Sequence, residues 1–110
     1  MSTPDYFAEF PADVEVCDCD GGLLYVNDRA EATVAGRAQL GMNILDCHPE
    51  PARTKLEEML ASGKANVYTI EKAGQRKLIY QAPWYEGDRF AGLVELSLEI
   101  PFEMPNFERS

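Results

Sequence analysis

Basic residues are scarce in this chain: ten Lys and Arg stand against nineteen Asp and Glu in 110 residues, a formal charge of −9. Such a field repels nucleic-acid phosphates and anionic lipid heads, so neither nucleic acid nor a membrane surface is an expected partner. No apolar run is long enough to span a bilayer. The opening Met1-Ser2-Thr3-Pro4-Asp5 lacks the basic start and apolar core of a secretory signal, so a cytoplasmic location is expected. Histidine and tryptophan occur once each, and cysteine three times. Cys17 and Cys19 lie too close on one strand to pair comfortably, and an odd thiol would remain, so reduced thiols are the plain reading. Repeats and low-complexity segments are absent. So is a phosphate loop, because Gly21-Gly22 lacks the lysine and the helix-opening pattern.

What is present suits one domain. Two domains in this length would each be too small to bury a core, and 45% hydrophobic with 26% charged residues is an ordinary globular composition. Met1 and the polar end at Arg109-Ser110 suit a complete short protein; a fragment of a larger signalling protein is the alternative.

Residues 1–12 form a lead-in whose Tyr6, Phe7 and Phe10 need a surface to cover. Val14 to Cys19 reads as a strand, Asp20-Gly21-Gly22 as a tight turn, and Leu23 to Val26 as the returning strand. Asn27 or Asp28 is placed to cap a helix of about two turns ending at Gly36. A second short turn around Ala38-Gln39-Leu40 stops at Gly41, and Met42 to Pro49 is irregular or one helical turn. Beyond Pro51, the residues Ala52, Leu56, Met59 and Leu60 make one apolar stripe of a helix that stops at Ser62-Gly63. Three strands follow, over Ala65 to Glu71, Arg76 to Tyr85 and Phe90 to Ile100, with Pro83 marking a bulge or an edge. In the last of them Phe90, Val94, Leu96, Leu98 and Ile100 fall on one face, and Glu95, Ser97 and Glu99 on the other.

The run from Asp18 to Asn27 carries the most specific signal. Its order (strand, Asp-x-Asp-Gly turn, strand ending in Asn, short helix) resembles the opening hairpin of a PAS domain, a small sensory α+β module. Gly41, Gly92 and the segment Arg89-Phe90-Ala91-Gly92-Leu93-Val94 are similar to further landmarks of that family. The stretch Asp46-Cys47-His48-Pro49 resembles a Cys-His-Pro segment of a subgroup of bacterial PAS domains. The resemblance covers residues 13–100 and implies a five-stranded antiparallel sheet in the order 2-1-5-4-3, with short helices on one face and a pocket between the layers. Residues 101–110 are then a C-terminal tail.

A signal-sensing or protein-interaction module is therefore expected, one that binds a small ligand in that pocket and dimerises or meets a signalling partner. The lead-in aromatics are the candidate anchors of a homodimer. Candidate pocket residues are Asn43, Cys47, His48, Leu56, Met59, Leu60, Tyr68, Tyr80 and Gln81. Two alternatives stand beside this reading: a haem or metal sensor that uses His48 as its ligand, and a dimerisation scaffold without a ligand. Flavin photochemistry is not expected, because the region around Cys47 lacks the Asn-Cys-Arg-Phe-Leu-Gln type motif of light-sensing members. Cys17, Cys19 and Cys47 with His48 lack the Cys-x2-Cys spacing of a zinc site and read as packing thiols. Cys47 and His48 are adjacent, so their side chains do not aim at each other as a nucleophile and base would, and no catalytic role is expected.

Overall fold

A computed structural model describes residues 4–33, 42–47 and 50–110. The elements follow as β1 (Asp13–Asp18), β2 (Leu23–Val26), α1 (Asp28–Thr33), a 3-10 turn (Ile44–Cys47), α2 (Ala52–Ser62), β3 (Asn66–Lys72), β4 (Gln75–Glu86) and β5 (Arg89–Ile100). The strands make one antiparallel sheet in the order β2-β1-β5-β4-β3. The expected turn around Ala38 to Gly41, and the end of α1 at Gly36, lie outside the described residues.

The first hairpin forms because Asp18 folds its side chain back over the turn. Its Oδ1 accepts the backbone N–H groups of Asp20 and Gly22, both at 2.9 Å. Gly21 takes a φ of 91°, a conformation that suits glycine. The turn is then stapled to the segment that leads into the 3-10 turn. Leu23 N–H donates to Met42 C=O at 2.7 Å, and Ile44 N–H to Gly21 C=O at 2.8 Å. Asn43 Nδ2 donates to Asp20 C=O at 2.8 Å.

Asn27 is fully buried and uses all four hydrogen-bonding positions of its carboxamide. Oδ1 accepts the N–H of Val14 and of Ala30, each at 3.0 Å. Nδ2 donates to the carbonyls of Phe7 at 2.9 Å and Ala12 at 2.7 Å. The bond to Ala30 caps α1, while the others hold the lead-in and the start of β1.

Helix α2 buries Leu56 and Met59 against the sheet and ends at Gly63, whose φ of 70° lets its N–H reach Met59 C=O at 2.8 Å. Glu50 supplies the N-terminal cap from one residue before Pro51: its carboxylate accepts Thr54 N–H at 2.7 Å and also the Thr54 hydroxyl. These bonds hold the Glu50 carboxyl below the usual carboxylate range. Cys17, Leu23, Ile44, Leu56, Met59 and Leu93 form the core between the layers, with Val26, Met42, Leu45, Leu60 and Phe90 packed around them.

The β3–β4 hairpin turns at Ala73-Gly74, both at positive φ (53° and 78°), as a two-residue antiparallel turn requires. Glu71 and Arg76 close it with a 2.8 Å ion pair. Pro83 sits where the sheet can spare an N–H. The β3 partners of β4 stop at Asn66 opposite Gln81, so Pro83 faces a strand only on the β5 side.

One expectation for β5 is corrected. Phe90 does not share a face with Val94, because the pairing slips one residue between Trp84 and Tyr85. Trp84 opposes Gly92, whereas Tyr85 opposes Phe90, which leaves Ala91 extra. Phe90 therefore turns inward to the core. At this bulge Gly92 has a φ of 150°, and a Cβ there would sit 1.9 Å from Cys17 C=O and 2.8 Å from Trp84 Nε1. The indole N–H donates to that same carbonyl at 2.9 Å. Only glycine fits.

Asn27→Leu should strand two N–H groups and two carbonyls and destabilise the fold by at least about 2 kcal/mol in urea unfolding. Asn27→Asp, nearly the same shape, should also destabilise it, because carboxylate oxygens would face the carbonyls of Phe7 and Ala12.

Candidate functional site

At one level of the sheet, four neighbouring strands each place a polar side chain beneath the helical layer. Glu15 of β1 stands directly opposite Glu95 of β5, Glu95 opposite Gln81 of β4, and Gln81 opposite Asn66 of β3. The four form a hydrogen-bonded row. Asn66 Nδ2 donates to Gln81 Oε1 at 3.1 Å, and Gln81 Nε2 donates to Glu95 Oε1. The Glu15 and Glu95 carboxyl groups hydrogen-bond to each other at the far end.

Two like-charged groups in a poorly hydrated layer cannot both ionise cheaply. Burial, then the charge and hydrogen bond of Glu95, then the charge of Asp13, push the Glu15 carboxyl up to about 8. Tyr68 on β3 is raised too, by burial and by the Glu95 charge. Cys17, beside Glu15 on the same face, is pushed up to about 11, mainly by burial. A thiol so protonated is a poor nucleophile.

Two spaces adjoin the row. Glu15, Cys17, Leu23, Ile44, Leu56, Gln81, Leu93 and Glu95 enclose a recess of about 20 Å³, room for a single water molecule. Across Leu56 and Gln81 lies a groove of about 430 Å³ between the start of α2 and strands β3 and β4. Pro51, Ala52, Lys55, Asn66 and Tyr68 complete its walls. Its volume falls in the range of small-molecule sites, and its apolar walls carry a few polar tips.

Of the residues expected in a pocket, Leu56 and Gln81 line both spaces and Tyr68 lines the groove. Met59 is core, and Leu60 packs beside it. Asn43 is elsewhere, spent on the hairpin turn and on capping the 3-10 turn through Leu45 N–H at 2.9 Å. Tyr80 is on the opposite sheet face, since adjacent strand residues point to opposite sides. His48 and the Cys47 side chain lie outside the described residues. Among the described residues no three His, Cys, Asp or Glu side chains are gathered as a metal site would need. Cys17 is buried and Cys19 exposed, its Sγ 3.5 Å from Phe90 C=O. Glu15, Glu95 and Asn66 were not singled out by sequence; the signal lies in alternation, because an inward Cys17 brings Glu15 inward with it.

No family model and no curated protein sequence matches the chain. Solved structures do. A C-terminal domain from Streptococcus mutans superposes with a TM-score of 0.67 at 22% identity, over 84% of this chain and 78% of that one. The PAS domain of BvgS from Bordetella pertussis gives 0.64 at 17% identity, over 86% and 81%. A sensory box sensor histidine kinase from Vibrio cholerae gives 0.66 at 16% identity, over 87% of each chain. These likenesses are of fold: the chain has the PAS fold. No described helix is long and apolar enough to cross a membrane.

Gln81→Leu should leave the Asn66 amide and a Glu95 oxygen without their partner, and lower stability by about 1–3 kcal/mol in urea unfolding.

Proposed function

From the PAS fold and the groove beneath α2, we propose that this chain is a signal-sensing module that takes a small ligand against β3 and β4 and relays its occupancy to a partner. The observation that carries the reading is the groove of about 430 Å³, with the Gln81 and Asn66 carboxamides on its floor and Lys55 at its rim. Carboxamides fix orientation through donors and acceptors, while Leu56, Tyr68 and Pro51 offer an apolar wall. A planar molecule with a polar edge suits that pattern. The likeness in fold to a sensory box sensor histidine kinase from Vibrio cholerae supports the same class of role.

Relay through a second copy is the partner reading supported best. The sheet face away from α2 carries Val16, Leu78, Tyr80, Ala82, Val94, Leu96 and Leu98, and Tyr80 remains 43% exposed. Phe7 and Phe10 in the lead-in are also about half exposed and meet edge to face at 6.1 Å. An apolar sheet face beside exposed aromatics is the composition of an interface core. The water-sized inner recess favours a second reading, a dimerisation scaffold with no enclosed ligand.

Native mass spectrometry of freshly purified protein separates the two. The sensing reading expects a bound mass of small-molecule size that is lost in Ala52→Trp, which fills the mouth of the groove from an exposed position. A bare mass, with no compound of a small-molecule library raising the melting temperature of wild type but not of Ala52→Trp, would leave the scaffold. Leu96→Glu should convert a dimer to a monomer in size-exclusion chromatography with light scattering, without unfolding the chain.

A further inference from the structure

The Glu15–Glu95 pair serves no purpose that the fold requires. An apolar cross-strand pair at this level would pack with Cys17, Leu93 and Leu56 and bury more apolar surface. Instead two carboxyl groups meet across β1 and β5, and Gln81 holds Glu95 from the other side. Among the described residues the recess offers no counter-charge. From β2 the pair sees Leu23, from the 3-10 turn Ile44, from α2 Leu56, and from β5 Leu93. Asp13 adds a third carboxylate along β1, and Tyr68 of β3 and the Cys17 thiol, both protonated at neutral pH, feel the Glu95 charge. Among the described residues no Lys, Arg or His lines the recess.

Such a pair is held together by one shared proton and forced apart without it. With the proton in place, one carboxyl donates to the other and the layer above closes on a neutral hydrogen bond. When the proton leaves, two carboxylates remain beside a space that holds one water. Relief comes by admitting more water, and the wall that can yield is the helical side, because β1 and β5 are tied by their ladder. We propose that the Glu15–Glu95 pair is a proton-operated latch: α2 and the 3-10 turn close on the sheet while the pair shares a proton and part from it when both carboxyls ionise.

The inference deepens the sensory reading by naming one input, a mildly alkaline pH, and it rests on that reading only for its biological meaning. Its direction follows from the Glu15 carboxyl, which titrates near 8 in the fold against an ordinary value of 4.5. The folded chain thus keeps a proton that the unfolded chain releases. This contribution to stability is complete below the ordinary value, shrinks as pH rises toward 8, and is gone above it. The other raised groups with a value, Cys17 at about 11 and Tyr25 at about 12, leave that window clear.

The test compares wild type with Glu15→Gln, which keeps the shape and a donor toward Glu95 but cannot ionise. Between pH 5 and 8.5 the melting temperature of wild type should fall relative to Glu15→Gln by roughly 15 °C. Amide exchange at Leu56 and Met59 should quicken in wild type about tenfold relative to the variant at the same pH as the medium passes 8. Carbon-13 titration of the Glu15 carboxyl in the whole chain should show its midpoint near 8, and Glu95→Gln should lower it. A Glu15 midpoint in the ordinary carboxylate range overturns the proposal. So does a melting curve that depends on pH equally in both proteins, or α2 exchange unchanged through the transition. Should Glu15→Gln fail to fold, Glu95→Gln carries the same comparison, because it too leaves only one ionisable group. None of these readouts involves the groove, so an empty groove in mass spectrometry leaves the latch standing, and the converse also holds.

Discussion

The lead-in, β1 and α1 are tied together at Asn27. A carboxamide has two lone-pair directions and two N–H donors, and here each is taken by backbone from a different place: the lead-in, the entry to β1, its first residues, and the first turn of α1. Because no water reaches the side chain, the four bonds cannot be exchanged one at a time for solvent. The lead-in is thereby fixed to the sheet before any apolar contact is counted. Tyr25 and Asp5 tie the same segment a second time, with the phenol donating to the carboxylate at 2.6 Å.

Beyond that knot, the sheet divides its chemistry between two faces in an unusual way. The face beneath α2 holds a compact apolar core at one end and the Glu15–Glu95–Gln81–Asn66 row at its middle. The opposite face receives Leu78 of β4 and Val94, Leu96 and Leu98 of β5. A sheet that only needed covering would do the reverse. The polar row gives α2 less apolar surface to seat on than an all-apolar layer would.

Much of the architecture was legible in the sequence because it is written in local hydrogen-bond chemistry. The Asp18 turn, the Asn27 cap and the Gly63 stop each depend on residues within four positions of one another, and each is found where the residue types implied. The α2 stripe was legible for the same reason. The phase of β5 was not. Alternation shows that Val94, Leu96 and Leu98 share a side, yet it does not say whether that side meets helices or solvent. The bulge at Ala91 also breaks the count between Phe90 and Val94. The carboxyl pair was hidden further still, since Glu15 and Glu95 meet only through the β1–β5 register. Tyr80 and Gln81 teach the opposite lesson: neighbours in one strand cannot both face one pocket, so a choice between them was already open to inspection.

The extra residue at Ala91 has a consequence for how this chain tolerates change. Upstream of it Phe90 serves the interior, and downstream the even-numbered side chains serve the exterior. The two stretches of one strand are locked out of step by the single unpaired residue Ala91, next to Gly92, where no side chain fits. Deleting one residue there would force a choice between evicting the phenylalanine and turning the strand over. Overturning it would carry the carboxylates out to the face away from α2 and drive Leu96 and Leu98 under the roof. This corner therefore constrains both the length of the strand and the identity of residue 92.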